Sequence, residues 1–179
     1  MSSLRRRHSC LALVAWVAGC AAPSEPGALV AGLTPAALIG PQSRLRGAIQ
    51  PGRVSGGREE FSARGHLGNA QFAEALRRSL AAHAMLGSAQ APMRLDATIT
   101  DLRQPMIGFD MEVDLRIRYR LTQVATGAVL FDQDIPSRFN APFGAASPGT
   151  ERLRLATEGT ARDNIAMFLA TIVRLERSG

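Results

Sequence analysis

Three carboxylates and two histidines have side chains that could bind a metal or transfer protons in this 179-residue chain. Asp110, Glu112 and Asp114 alternate along one run, but alternate residues of a strand lie about 7 Å apart, too far for all three to bind one ion unaided. We expect His83 to be hydrogen-bonded near the apolar face of a helix and His66 to lie in a loop. No nucleophile elbow, phosphate-binding loop, dinucleotide fingerprint or HExxH motif is present. We therefore predict no catalytic, cofactor-binding or metal-binding residues.

Cys20 is the residue with the clearest chemical fate. Residues 5–8 (RRRH) are basic, and residues 10–19 (CLALVAWVAG) form an apolar run too short to span a bilayer. The run ends in VAGC, which resembles the bacterial lipobox, where small residues admit a peptidase and the cysteine thiol becomes a diacylglyceryl thioether. We predict that residues 1–19 are a lipoprotein signal peptide and that Cys20 carries the lipid, its freed amine acylated by a fatty acid such as palmitate. A signal peptide cut by the general peptidase and an uncleaved anchor are the alternatives.

Acylation of Cys20 would attach the chain to a membrane, because two or three acyl chains hold a protein durably where one does not. Ala21 and Ala22 lack the aspartate that resembles an inner-membrane retention signal. We therefore expect attachment to the periplasmic face of the outer membrane. Cys10 is the only other cysteine, so the processed chain would form no disulfide.

The charge of the chain does not favour nucleic-acid binding. All 21 basic residues are arginines, and three of them lie in the predicted signal peptide, which leaves 18 arginines against 15 acidic residues. A nucleic-acid interface would need a clustered basic face or interleaved aromatic residues. We predict a membrane partner through the N-terminal lipid, together with an envelope protein or lipid.

The predicted first elements follow a proline-, glycine- and alanine-rich segment. Residues 20–44 are predicted to be the lipidated N-terminus and a flexible tether, and residues 45–179 a single domain. Residues 45–54 (LRGAIQPGRV) suit a strand, which Pro51 and Gly52 restrict to an edge or a bulge.

A helix is predicted next, with Asn69 as its N-cap and Gly87 as its end.

The next strands are predicted by alternation of apolar and polar residues. Residues 93–100 alternate, and residues 109–121 have seven consecutive apolar positions at a period of two. A three-residue turn at residues 125–127 (ATG) would lead into a returning strand at 128–135. That turn predicts two cross-strand pairs of opposite charge, Arg120 with Asp132 and Arg118 with Asp134.

A final helix is predicted from an N-cap at Ser147 and Pro148 at its first position to about residue 176. At about 1.5 Å per residue it would reach roughly 40 Å, similar to the longest strand, so the two can cover each other. The order β-α-β-β-β-α predicts an α+β two-layer sandwich, with a mostly antiparallel sheet and both helices on one face.

Two predicted loops could contact a partner. RQPMIG places Met106 and Ile107 at a turn, and FNAPF places Phe139 and Phe143 around a proline. Apolar loop tips can mark a protein or lipid contact, or they can cover the end of a core.

Residues 49–175 resemble a family of small, largely uncharacterised proteobacterial lipoproteins. The most specific segments are GFDM at residues 108–111, the ATG turn, and the helix sequence RLRLATEGTARDNIAMF at residues 152–168. Some members carry the label UDP-N-acetylglucosamine acyltransferase. That enzyme is a left-handed β-helix of hexapeptide repeats, which this chain lacks, so the label is not transferred.

In architecture the chain is similar to outer-membrane accessory lipoproteins, such as the LPS-assembly lipoprotein and the auxiliary lipoproteins of lipid ABC transporters. The resemblance and the absence of catalytic motifs predict a non-enzymatic, lipid-anchored periplasmic protein that supports an envelope assembly or transport partner. An enzyme acting on cell-envelope lipid or glycan is the alternative, and a purely structural lipoprotein is a third hypothesis.

Overall fold

Four β-strands and two long α-helices make up most of the fold, and the computed structural model describes residues 27–57, 67–105 and 110–178. The strands are β1 (Ile49–Ser55), β2 (Met93–Arg103), β3 (Met111–Gln123) and β4 (Val129–Ala141), and the helices are α1 (Asn69–Ala82) and α2 (Gly149–Ser178). Short 3-10 turns at Pro35–Ala37 and Phe143–Ala145 precede β1 and α2. Within the described ranges, no helix is long and apolar enough to cross a membrane.

The strands form one mixed sheet in the order β1-β2-β3-β4, with β1 parallel to β2 and the other neighbours antiparallel. Both helices pack on one face of the sheet, α1 against β1 and α2 against β3 and β4. α1 supplies the crossover that a parallel strand pair requires. The predicted α+β two-layer sandwich is confirmed.

The core lies between that face and the helices, and among the strands β3 contributes the most buried side chains to it. Its alternating side chains are at most 7% exposed, and they are Met111, Val113, Leu115, Ile117, Tyr119 and Leu121. Leu95, Ala97 and Ile99 of β2 are buried beside them. These are the positions that the alternation predicted, while Phe109, the first of the seven predicted on β3, lies outside the described residues.

The β3–β4 pairing confirms the predicted register, although the turn differs from the predicted one. Arg120 lies opposite Asp132 and Arg118 opposite Asp134. Gln123 donates to the Ala128 carbonyl at 2.8 Å, so the turn has one residue more than predicted. A β-bulge at Leu130 shifts the register back, because Thr122 pairs with Val129 while Leu121 pairs with Phe131.

β1 is the edge strand, and it is also bulged, as Pro51 and Gly52 predicted. Its register with β2 shifts between Pro51 and Val54. Asp96 of β2 accepts a hydrogen bond from the Arg53 backbone at 2.7 Å, which holds the bulge. A Cβ at Gly52 would lie 2.3 Å from Oδ1 of that carboxylate, so the approach requires glycine.

β4 continues six residues past the predicted end at residue 135. Pro136 interrupts the sequence pattern, but β4 is the other edge of the sheet, where a missing backbone donor is tolerated. Phe139 is consequently a strand residue paired with Val113, and its predicted place in a loop is wrong.

The predicted limits of α1 are wrong at both ends. Asn69 is its first residue and Gly68 precedes it, while the Asn69 side chain accepts a hydrogen bond from the Gly57 backbone at 2.9 Å. The helix ends at Ala82, before Gly87, because Ala84 takes a left-handed conformation (φ 57°). The backbone N–H of Met85 then returns to the Leu80 carbonyl at 2.9 Å.

α2 starts slightly later than predicted. It begins at Gly149, and the Pro148 carbonyl accepts from the Arg152 backbone at 3.2 Å, so Ser147 and Pro148 both lie before the helix. The Ser147 carbonyl instead accepts from the Arg152 guanidinium at 3.0 Å. That guanidinium stabilises the chain entry into the helix.

A buried network of hydrogen bonds joins α2 to the sheet. The Asn164 side chain accepts from the Tyr119 hydroxyl at 2.9 Å and donates to the Ile135 carbonyl at 2.7 Å and the Ser137 hydroxyl at 3.0 Å. Burial raises the pKa of Tyr119 well above its usual value, so this hydroxyl stays a donor. The Phe168 ring stacks on Tyr119 with centroids 4.1 Å apart.

Gly159 provides the closest approach between α2 and β4. A Cβ at Gly159 would lie 2.6 Å from ring carbons of Phe139. Arg162, one helical turn later, lies over the same ring at 5.8 Å from its centroid. The helix sequence that carries the family resemblance therefore has packing roles along this contact.

The segment before β1 packs on the helices, although the sequence assigns residues up to 44 to the tether. Leu29, Ala31 and Ala37 are fully buried in the core. The Ala31 backbone donates to the Ser79 hydroxyl of α1 at 2.9 Å, and Arg177 of α2 donates to the Leu38 carbonyl at 2.8 Å. We call this end of the domain, which carries the β3–β4 turn and the last turns of both helices, the hairpin end.

Gly159→Ala tests the helix–sheet contact. Alanine normally favours a helix interior by about 1 kcal/mol over glycine, but here the added methyl meets the Phe139 ring, and we expect the free energy of unfolding to fall by about 1 to 3 kcal/mol in urea denaturation. In a Phe139→Ala background the same change should stabilise the protein. Stabilisation by Gly159→Ala alone would contradict the close approach.

Candidate functional site

Four of the residues singled out in the sequence lie outside the described residues, namely Cys20, His66, Met106 and Ile107. The predicted signal peptide, residues 1–19, lies outside them as well. The acylation of Cys20 therefore stays a prediction from the sequence.

Phe143 is the one predicted contact residue that the described structure leaves exposed in a connection. It begins the 3-10 turn after β4 and is 57% exposed. Its backbone donates to the Asp110 carboxylate at 2.9 Å, and the Arg152 guanidinium lies 4.8 Å from its ring centroid. Phe139 is half-buried under α2, so the two rings do not form a common surface.

The acidic side chains of β3 form ion pairs with an arginine on the open face of the sheet, the face opposite the two helices. Asp114 pairs with Arg138 of β4 at 2.6 Å, and Glu112 lies 3.4 Å from the same guanidinium. Asp132 pairs diagonally with Arg118 at 2.6 Å, and that guanidinium lowers the carboxyl pKa. Across the described ranges, no three His, Cys, Asp or Glu side chains are placed to hold a metal ion.

His83 is buried at the end of α1, as its place near the apolar stripe predicted. Its Nδ1 lies 2.8 Å from the Ser79 carbonyl, and its ring is 3% exposed. Its Nε2 has no hydrogen-bond partner among the described residues. Among the described residues, no carboxylate forms an ion pair with this ring.

A cavity of about 220 Å³ opens at the hairpin end, and the sequence did not predict it. It lies between the start of β4, the end of β3 and the last turns of α2. Its lining is largely apolar, and consists of Leu45, Met93, Leu121, Leu130, Phe131, Ile172 and Leu175, with Arg44 and Glu176.

The bulge in β4 explains why Leu130 lines this cavity. Regular alternation would pair residue 130 with β3, but the bulge leaves Leu130 as the extra residue, which redirects its side chain. Leu130 and Leu175, on opposite sides of the opening, are each 48% exposed. The three consecutive apolar residues VLF at 129–131 were the available sequence signal, because they break the alternation of this strand.

The rim of the cavity is held by Glu176. Its carboxylate accepts hydrogen bonds from the Ser43 hydroxyl at 2.7 Å and from the Arg44 backbone. The Arg44 side chain, which lines the cavity, is exposed and forms no ion pair with any described residue. The hairpin end thus combines an apolar cavity with an available cation.

Comparisons with known proteins identify the fold alone. No protein-family model matches the chain, and no curated protein matches its sequence. A Xanthomonas campestris protein of the family DUF330 is 8% identical, with 79% of this chain and 92% of that chain aligned at a TM-score of 0.58. A hypothetical protein from Chlamydia trachomatis is 14% identical, with 69% and 96% aligned at a TM-score of 0.50.

Lipoproteins are among the more distant structural neighbours. A minor lipoprotein from Acinetobacter baumannii is 11% identical, and the alignment covers 70% of this chain and 90% of that chain at a TM-score of 0.42.

Glu176→Ala tests how the rim is held. Loss of hydrogen bonds to a charged acceptor should open the segment around Arg44 locally, and we expect its backbone amide to exchange with solvent about tenfold faster or more. Glu151→Ala, which removes a carboxylate paired with Arg154 at the other end of α2, is the matched control. Unchanged exchange at Arg44 in the Glu176→Ala protein would show that Glu176 does not hold the rim.

Proposed function

We propose that the chain is a lipid-anchored, non-enzymatic accessory protein on the periplasmic face of the outer membrane, where it supports an envelope assembly or transport partner. The observation that carries this proposal is the open apolar cavity at the hairpin end. In the proposed role, the cavity receives an apolar group of that partner, because an opening lined by exposed leucines gains free energy when it is covered.

The anchor and the cavity support each other in this proposal. The described chain starts at Gly27 and contacts α1 at Ala31 and the end of α2 at Leu38, so it packs at the same end of the domain as the cavity. An anchored domain would therefore hold its cavity near the membrane. The described residues contain no cluster that favours the enzymatic alternative.

Photo-crosslinking in the native cells tests the proposed binding role. A photoreactive residue in place of Leu130 should give a discrete adduct with an envelope component, because this side chain lines the cavity. The matched control is the same residue in place of Met167, which is similarly exposed on α2 (46%) but does not line the cavity. No adduct at position 130, or equal adducts at both positions, would refute the role of the cavity.

Mass spectrometry of the mature N-terminus tests the proposed anchor. We expect the chain to start at Cys20 with a diacylglyceryl group on its sulfur and a further acyl group on its amine. The Cys20→Ser variant should retain residues 1–19, because it has no thiol to modify. A mature chain that starts elsewhere and carries no lipid would refute the anchor without testing the cavity.

A further inference from the structure

Exposed apolar side chains of the described residues are concentrated at the hairpin end. Five of the eight large hydrophobic residues that are exposed lie there, and they are Leu38, Val124, Val129, Leu130 and Leu175. Of the other three, Phe143 lies before α2 and Met167 lies in the middle of that helix. Such concentration around an open cavity is typical of a surface that contacts an apolar phase.

The same end carries an excess of positive charge. Arg44 and Arg46 lie in the segment before β1, and Arg174 and Arg177 lie in the last turns of α2. Two of these side chains donate hydrogen bonds to backbone carbonyls, Arg46 to that of Gly40 and Arg177 to that of Leu38. Within the described chain, none of the four arginines forms an ion pair.

Glu176 is the carboxylate that lies among these arginines, but its hydrogen bonds go to Ser43 and to the Arg44 backbone. Arg44 lines the apolar cavity, and Arg46, Arg174 and Arg177 are exposed at the same end. Leucines beside arginines are suited to the boundary between the acyl chains and the anionic headgroups of a membrane.

The length of the chain before Gly27 favours the same orientation. Six residues lie between Cys20 and Gly27. The seven Cα–Cα steps that they span reach at most about 25 Å when fully extended. If Cys20 is acylated, Gly27 cannot lie farther than this distance from the headgroups. The hairpin end, to which Gly27 leads, then stays near the membrane. The surface is therefore held within reach of the bilayer to which the chain is attached.

We infer that the cavity at the hairpin end takes part of one acyl chain of an anionic phospholipid of that bilayer, while Arg44 and the other exposed arginines of this end contact its phosphate. This inference rests on the proposed function, since it uses the same cavity and anchor, and it names the ligand. A cavity of about 220 Å³ is below the usual size for a drug-sized ligand, so it suits a segment of a single chain.

Binding to vesicles tests the inference. The chain from residue 20 onward with Cys20→Ser has no anchor, and every described core residue lies at or beyond Leu29, so this form keeps the whole core. We expect it to float with vesicles that contain phosphatidylglycerol and not with vesicles of phosphatidylcholine alone. Binding to neither kind of vesicle, or to both equally, would overturn the inference.

Charge variants identify the surface. Arg44→Gln with Arg174→Gln should weaken binding to the anionic vesicles about thirtyfold, because each arginine near such a surface contributes about fivefold. Arg116→Gln with Arg120→Gln is the matched control, since it removes the same charge from the open sheet face and should have little effect. Equal losses in the two double variants would show that vesicle binding depends only on the net charge of the protein, which would refute the inference.

A single tryptophan tests the insertion of an acyl chain. Trp16 is the only tryptophan of the sequence, so the chain from residue 20 has none. The tryptophan introduced by Leu130→Trp should be quenched by brominated acyl chains in the anionic vesicles, whereas that of Met167→Trp should not. Absence of quenching at position 130, or displacement of the vesicles by inorganic phosphate at constant ionic strength, would show a simple anion site and overturn the inference.

The outcomes also separate this inference from the proposed function. A protein adduct at position 130 in cells without vesicle binding would refute the lipid as ligand and leave the accessory role intact. Vesicle binding by the chain from residue 20, with an unlipidated Cys20 in cells, would refute the anchor and leave the lipid site.

Discussion

The carboxamide of Asn164 is the contact on which the placement of the other elements depends. It bonds to Tyr119 on β3 and to Ile135 and Ser137 on β4, so one side chain sets both the position of α2 along the sheet and the strand pair that it covers. All three bonds are buried, where an unmade hydrogen bond is costly, and a shifted helix would leave these groups unpaired. Gly159 then lets the helix approach Phe139 closely on the same side.

The position of α2 determines the shape of the hairpin end. A helix of 30 residues is about 45 Å long, so fixing its middle also fixes its last turns against the β3–β4 turn. Ile172, Leu175 and Glu176 reach the cavity in this way, and Glu176 then holds the segment that leads from the N-terminus. The packing of the core and the geometry of the proposed lipid contact are therefore consequences of the same helix register.

Which segments form helices and which form strands was predictable, because buried side chains recur along the sequence at the spacing typical of each kind of element. The six alternating apolar residues on β3, and the register that sets Arg120 opposite Asp132 and Arg118 opposite Asp134, were predicted from spacing alone. The ion pair that forms there is the diagonal one between Arg118 and Asp132. The errors lie where the structure does not use the local signal on which the prediction relied. Asn69 bonds to Gly57 instead of capping α1, and Ala84 ends that helix before Gly87. Pro136 lies within β4 because, in the described part of the chain, no further strand pairs with that edge.

By itself the sequence determined the α+β order, the buried faces of β2 and β3, and the opposite charges that face each other between β3 and β4, since each depends on residues close together in the chain. The lipobox at Cys20 stays a prediction from the sequence. Only the tertiary structure decided that Phe139 lies under α2 while Phe143 stays exposed, and that Leu130 joins Leu175 at a cavity. The physical reason is that a cavity is the space left between elements. Its walls come from residues up to 132 positions apart, from Arg44 to Glu176, and no local pattern records how closely they pack.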